Sequence, residues 1–422
     1  MAGVLAAAAL TGCGQVSGNP AASELDVRKL AVGNYPTDPL DLRVQDFYGS
    51  TDGSALARGR LADNIVIGSD VDPMFGHNAL VRYLSSTRNT QYANVLPNAI
   101  LPALAANGMM FGFSAAASTQ SLAVSAVQQA PDTFNPFGGA KDGPQATSFN
   151  VTVLQFPDPQ KAKTAAEQIE AADFAVAADQ NAHVTLDHQP DAKAHWRPGI
   201  PSMAATLAHG GYVVNVYVAQ PTADLDSMRK LTDQVFAAQL PLLDQAPALS
   251  PREIFRLKYD PDLMMRRTLH PKDYLSPQHL FEITHTPRGY LHAVEDQATT
   301  KRLLDDNGVD RISTARAGGL LFRTRDAKAA TAFWTAINAK SGTSVDAPQG
   351  IPDATCVENP NPKTGWSLTG DAESDDAWDA MNKYTCTVHY DRYVARVASN
   401  QIIDAQQKAA AQYALLANSQ YL

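Results

Sequence analysis

Apolar and polar residues alternate over Phe149, Val151 and Val153, the pattern of a strand with one buried face. Pro157-Asp158-Pro159 stops that run and opens a helix, whose Ala162, Ala165, Ala166 and Ile169 recur at helical spacing. A hairpin follows, turning at His209-Gly210-Gly211 and returning through Tyr212, Val214, Val216 and Val218. Met228, Leu231, Val235, Ala238 and Leu242 then mark one face of a helix from about Leu225 to Leu243, with Pro241 expected to end or bend its last turn. The same order recurs further on. Leu320-Leu321-Phe322 reads as a strand, and Asp326 as the N-cap of a helix with Ala329, Phe333, Ala336 and Ile337 on one face. Cys386, Val388 and Tyr390 alternate, Asp391-Arg392 turns, and Ala395 and Val397 return. A last helix buries Ile403, Ala410, Tyr413, Ala414 and Ala417.

Direct matches support two copies. Ala237-Ala238-Gln239-Leu240-Pro241-Leu242-Leu243 and Ala410-Ala411-Gln412-Tyr413-Ala414-Leu415-Leu416 agree at five of seven positions. Lys161-Ala162-Lys163-Thr164-Ala165 matches Lys328-Ala329-Ala330-Thr331-Ala332, and Ala205 lies opposite Cys386. Asp72-Pro73 and Asp260-Pro261 are weaker candidate matches. Strand, helix, hairpin and helix, twice over, predict an α+β fold of two related repeats. Each would resemble a ferredoxin-like, split βαβ sheet with its helices on one face. The expected domains are residues 25–243, with a repeat core at 149–243, and 252–422, with a core at 318–417, joined by a linker at 244–251. Residues 94–107 look helical, and 252–310 hold short pieces.

Composition says that the chain folds: 45% of its 422 residues are hydrophobic and 18% are charged. A net charge of −9 with no long Lys/Arg cluster argues against nucleic-acid binding. At the N-terminus, the apolar run Val4-Leu5-Ala6-Ala7-Ala8-Ala9-Leu10 is far shorter than the roughly 20 residues of a membrane span. It reads as the core of an export signal at residues 1–12. Leu10-Thr11-Gly12-Cys13 resembles the lipobox of bacterial lipoproteins, which implies a lipid on Cys13 and a membrane anchor. The alternative is a plain secretory signal with a chance cysteine. No Lys or Arg precedes the apolar run, so the true start is expected upstream. Residues 13–24 read as a flexible tether. Two cysteines remain, Cys356 and Cys386. In an oxidising compartment they suggest one disulfide, with two buried thiols as the alternative; two cysteines alone do not make a zinc site.

Three places carry candidate chemistry. Gly112-Phe113-Ser114 half-resembles a nucleophile elbow, with Ser114 as a serine nucleophile, although the second glycine is missing; buried packing is the plainer reading. His270, His285 and His292, with Asp260 and Asp262 nearby, are weak metal-ligand candidates without helical metal spacing, and ordinary hydrogen-bonded histidines are the alternative. Asp371-Ala372-Glu373-Ser374-Asp375-Asp376 and Asp379 form an acidic run without the ligand order of a calcium loop. Phosphate-binding glycine loops are absent, and no cofactor is expected.

The lipobox, Tyr35-Pro36-Thr37-Asp38-Pro39, and the ending Arg392-Tyr393-Val394-Ala395 with Ala411-Gln412-Tyr413 resemble an actinobacterial (mycobacterial or nocardial type) cell-envelope lipoprotein family of uncharacterised function. That resemblance implies residence in the envelope and carries no catalytic residues. The leading expectation is a non-enzymatic lipoprotein on the outer face of the membrane. It would bind a lipid, a glycolipid or an envelope protein between two related domains. The alternatives are a serine hydrolase using Ser114 and a structural subunit of a membrane-associated complex.

Overall fold

The structure, a computed structural model, describes residues 25–42, 50–87, 90, 95–120, 146–271, 279, 282–294, 296–315, 319–339, 342–360 and 382–422. The signal, Cys13, the tether and the acidic run from Asp371 to Asp379 lie outside the described residues.

The first half contains α1 (Ser50–Leu61), β1 (His77–Leu84), α2 (Leu101–Ala106), β2 (Phe111–Ser118), β3 (Ser148–Gln155), α3 (Pro159–Phe174), β4 (Ala182–Val184), β5 (Lys193–Trp196), β6 (Ser202–His209), β7 (Tyr212–Ala219) and α4 (Leu225–Asp244). The second contains β8 (Ile283–His285), α5 (Gln297–Asp306), β9 (Arg311–Ala315), β10 (Gly319–Arg323), α6 (Ala327–Asn338), β11 (Thr343–Val345), β12 (Thr355–Glu358), β13 (Tyr384–Tyr390), β14 (Tyr393–Ser399) and α7 (Ile402–Asn418). Each half builds a seven-stranded antiparallel sheet. The orders are β1-β2-β3-β7-β6-β5-β4 and, in the mirror listing, β8-β9-β10-β14-β13-β12-β11, which is one topology used twice. The fold is therefore α+β with two related repeats.

Local chemistry repeats as well. Asp158 caps α3 through Lys161 N at 2.8 Å, and Asp326 caps α6 through Ala329 N at 2.8 Å. The aligned caps set the register of these helices one residue away from the Lys161/Lys328 match. After α2 and α5 the chain leaves through Asn107-Gly108 and Asn307-Gly308, both glycines left-handed at φ +69° and +57°. Met109 N and Val309 N then close the turns onto Leu104 O and Leu304 O at 3.0 and 2.9 Å. Pro241 does not end α4, which continues to Asp244.

The helices cover both faces of each sheet, not one face as the period-two pattern suggested. Ala162, Ala165, Ala166 and Ile169 of α3 pack with Leu154 and Val213. Met228, Leu231, Val235 and Phe236 of α4 pack with Val151, Val153, Val214 and Val216 on the opposite face. In the second half α6 covers Leu320, Phe322 and Val394, while α7 covers Leu321, Ala395 and Val397. The physical reason is that the central strands are apolar at consecutive positions, so both faces must be taken out of water.

Two segments pack where the sequence reading did not put them. Residues 25–40 lie on the second half. Leu30 is buried among residues of α7, Tyr35 Oη donates to Asp404 at 2.5 Å, and Asn418 Nδ2 donates to Thr37 O at 2.9 Å. The expected linker instead lines the first half: Leu249 N and O bond the Gln155 amide at 3.4 and 2.8 Å, and Ile254 is buried with α4.

The seam between the halves is packed over its described residues. Ile67 sits with Tyr290 and Leu291, and Leu56 with Met265 and Ile283. Asp63 Oδ1 accepts from Thr286 N and Thr286 Oγ1, both at 3.0 Å. Gly289 is required there, since a Cβ would lie 2.1 Å from Asp63 Oδ1. Arg288 pairs with Asp70, and Asn78 donates to His292 O. An interdomain cleft was expected; along these residues apolar contacts and paired polar groups occupy its place.

Cys356 and Cys386 form a disulfide between directly opposed residues of β12 and β13, with Cα atoms 4.1 Å apart. Their counterparts in the first half are the opposed pair Ala194 and Ala205.

Candidate functional site

Ser114 does not occupy an elbow. It lies in the middle of β2, fully buried, between Arg82 of β1 and Thr152 of β3. A nucleophile elbow needs a strained strand-to-helix turn, and here the chain stays extended for four more residues to Ser118. The Ser114 hydroxyl bonds Asn150 Oδ1 at 3.1 Å and lies 2.8 Å from Thr152 Oγ1, which donates to the same Asn150 oxygen at 3.0 Å. The serine hydrolase reading falls with this geometry.

Those residues belong to a larger polar row across the first sheet. Register sets Arg82, Ser114, Thr152, Asn215 and Thr206 side by side on five strands. Asn215 Nδ2 donates to Thr206 Oγ1 at 2.9 Å. Asn150 and the opposed pair Ser118 and Ser148 continue the polar surface toward the strand ends. Ser114, Asn150, Thr152 and Ser148 are at most 1% exposed. Among the described residues, Asn150 Nδ2 and Ser148 Oγ nevertheless have no hydrogen-bond partner. Whichever way the amide is turned, one end of it is unsatisfied. Leaving such a group buried costs about 1–3 kcal/mol. In the second half the equivalent positions Thr314, Leu320, Arg396 and Thr387 are interrupted by Leu320, which stands where the first half has Thr152.

The three candidate histidines do not share one centre: His285 and His292 both feel Asp63, and His270 faces other groups. His270 faces Glu282 at 3.8 Å and Met265 O at 3.2 Å, and burial pushes its pKa down. His285 Nδ1 lies 3.4 Å from Asp63. His292 Nε2 lies 3.3 Å from Ile65 O, and its ring sits edge-on to Phe113. Complete burial pushes the His292 pKa down to about 4. Asp260 is committed to Met265 N and Arg266 N, and Asp262 to Arg311. Among the described residues no group of three His, Cys, Asp or Glu is arranged to hold a metal. His285 and His292 sit at the seam, against Asp63 and Ile65 of the first half.

A cluster that the sequence reading missed lies where α3 ends against β5. His195 Nδ1 is 3.1 Å from both oxygens of Glu170, and its Nε2 is 4.0 Å from Asp173. Burial works against a charge on His195, but the hydrogen bond and charge of Glu170 prevail and raise its pKa. Burial pushes Asp173 up to about 6. Glu170 and Asp173 are i, i+3 on α3, but the strand that brings His195 to them could not be read from spacing. They join helix to strand.

Two pockets flank the end of α7. One, of about 510 Å³, is lined by Tyr35 to Asp41, Thr268, His270 and Leu415. The other, of about 670 Å³, is lined by Arg267, Tyr390, Asp391, Arg392, Tyr393, Leu416, Ser419 and Gln420.

The fold and these sites define a two-copy α+β protein with a disulfide in one copy and a buried polar row in the other. Residues 48–259 match the family described as domain of unknown function (DUF7373) N-terminal, and residues 264–419 match its C-terminal counterpart; the chain belongs to this family. No curated protein matches the chain. Among solved structures, the extracellular domain of PknH from Mycobacterium tuberculosis is similar at 14% identity, over 43% of this chain and 93% of that one, with a TM-score of 0.25. So slight a likeness carries nothing about function.

Proposed function

We propose that the chain is an exported envelope lipoprotein, held to the outer face of a membrane by a lipid on Cys13, that binds a lipid or glycolipid without transforming it. Export is supported by the lipobox-like Leu10-Thr11-Gly12-Cys13 and by the pairing of both remaining cysteines. Binding is supported by one observation above the others, the polar row under the first sheet. Its hydroxyls and amides lie on an otherwise apolar surface, and Asn150 Nδ2 and Ser148 Oγ lack partners among the described residues. The row is sealed in this fold, so a ligand reaches it only when the layer over that face opens; sugar or headgroup hydroxyls would then satisfy Asn150 Nδ2 and Ser148 Oγ, and the surrounding apolar side chains would take an acyl chain.

The test is native mass spectrometry of protein extracted from its own envelope. A co-purifying lipid species that is lost in the Asn150→Leu/Ser148→Ala double variant is the expected result. Lipid-free protein in both, or an unchanged lipid in the variant, would overturn the binding reading.

A further inference from the structure

We propose that the corner where the β13–β14 hairpin meets the end of α7 binds a phosphate group, with Arg392 as its principal ligand. This corner is the pocket of about 670 Å³. The Arg392 guanidinium is exposed, lies 5.7 Å from the centre of the Tyr393 ring, and makes no hydrogen bond or ion pair among the described residues. A second guanidinium, Arg267, lies 5.5 Å from the centre of the same ring. Arg267 is 7% exposed and held in place by Leu263 O, Ser419 O and Leu422 O at 2.9, 3.2 and 2.8 Å. Asp391 is the one acidic side chain on the lining. Asp310, whose carboxyl also feels the Arg392 charge, is taken by Arg323 at 2.7 and 2.8 Å.

The first half shows what this corner looks like when filled. There Tyr212, the counterpart of Tyr393, donates to Ala246 O at 2.9 Å. Ala248 lies against Gly211, and Leu249 bonds Gln155. In the second half the hairpin turn is Asp391-Arg392 in place of Gly210-Gly211, and Arg323 stands where Gln155 was. An apolar strap over a diglycine turn is replaced by an open, cationic, aromatic-lined recess. Guanidinium forks match phosphate oxygens, and stacking on a ring fixes their orientation. The phosphate could belong to a lipid headgroup or to a soluble ester.

The test uses the full chain carrying Cys13→Ser, so that no attached lipid brings it to membranes. Inorganic phosphate is titrated by calorimetry at constant ionic strength, with chloride as the control. Flotation is measured with phosphatidylcholine vesicles with and without phosphatidylinositol. Phosphate should bind, and Arg392→Ala should weaken it about tenfold to a hundredfold, with part of the loss restored in Arg392→Lys. Vesicle binding that depends on phosphatidylinositol and on Arg392 identifies a headgroup; phosphate binding without it identifies a soluble ester. Equal affinity in Arg392→Ala, or no binding of either probe, overturns the proposal. Asn150→Leu/Ser148→Ala should leave phosphate binding unchanged, which separates this site from the polar row.

Discussion

Gln239 and Gln412 perform the same task in the two halves. The Gln239 amide accepts from Val66 N at 3.0 Å and donates to Asn64 O at 2.9 Å. The Gln412 amide accepts from Leu269 N at 2.7 Å and donates to Arg267 O at 2.7 Å. Both are completely or almost completely buried on the last helix of their repeat. Each clamps a chain segment that has just left a short 3-10 turn, Ala62–Asn64 or Met265–Arg267. The repeat therefore begins before the first strand, in segments whose sequences share no obvious identity.

Replacing either glutamine by leucine should destabilise the protein by about 2–4 kcal/mol, because a buried N–H and a buried C=O lose their partners together. Urea unfolding of Gln239→Leu and Gln412→Leu measures this. A loss below 1 kcal/mol in both would mean that the clamps are incidental.

Removing the disulfide should act on one half only. It closes a loop with a sequence separation of 30 residues, which corresponds to roughly 3–4 kcal/mol of chain entropy. Cys356→Ala/Cys386→Ala should lower the unfolding midpoint. Hydrogen exchange should rise in β12 and β13 and remain unchanged in β5 and β6; a uniform rise would contradict this.

Acid should loosen the seam through His292. Its pKa is about 4 in the fold, against about 6.5 in the unfolded chain. The unfolded chain therefore binds the extra proton between those values, and stability falls as pH drops. The contribution is complete above about pH 6.5 and is lost as pH falls through 4. Between pH 7.5 and 5 it amounts to roughly 2 kcal/mol. His292→Asn should be less stable at neutral pH and show a flatter pH dependence; an unchanged slope would remove His292 from the account.

Cys13 should incorporate radiolabelled palmitate when the protein is expressed in an actinobacterial host, and Cys13→Ser should abolish the label and release the protein from the membrane fraction. Label that persists in Cys13→Ser would refute the anchor. Separately, a fluorophosphonate probe should leave Ser114 unmodified, since its hydroxyl is buried and engaged with Asn150 and Thr152.

The sequence by itself determined the two copies, most of their strands and helices, the Asp326 cap, the repeat match of Ala205 with Cys386, and the two cysteines as candidates for one disulfide. These are local properties: side-chain period, capping chemistry and turn residues act within a few positions of themselves. Only the tertiary structure decided which layer covers each face, because Val213 and Val214 are equally apolar and the chain does not say which helix each one meets. It also decided that residues 25–40 cross to the second half, that Ser114 is sealed beneath the first sheet, and that His270, His285 and His292 take separate partners. Each of those outcomes depends on groups far apart in the chain, and burial against a distant neighbour leaves no period in the sequence.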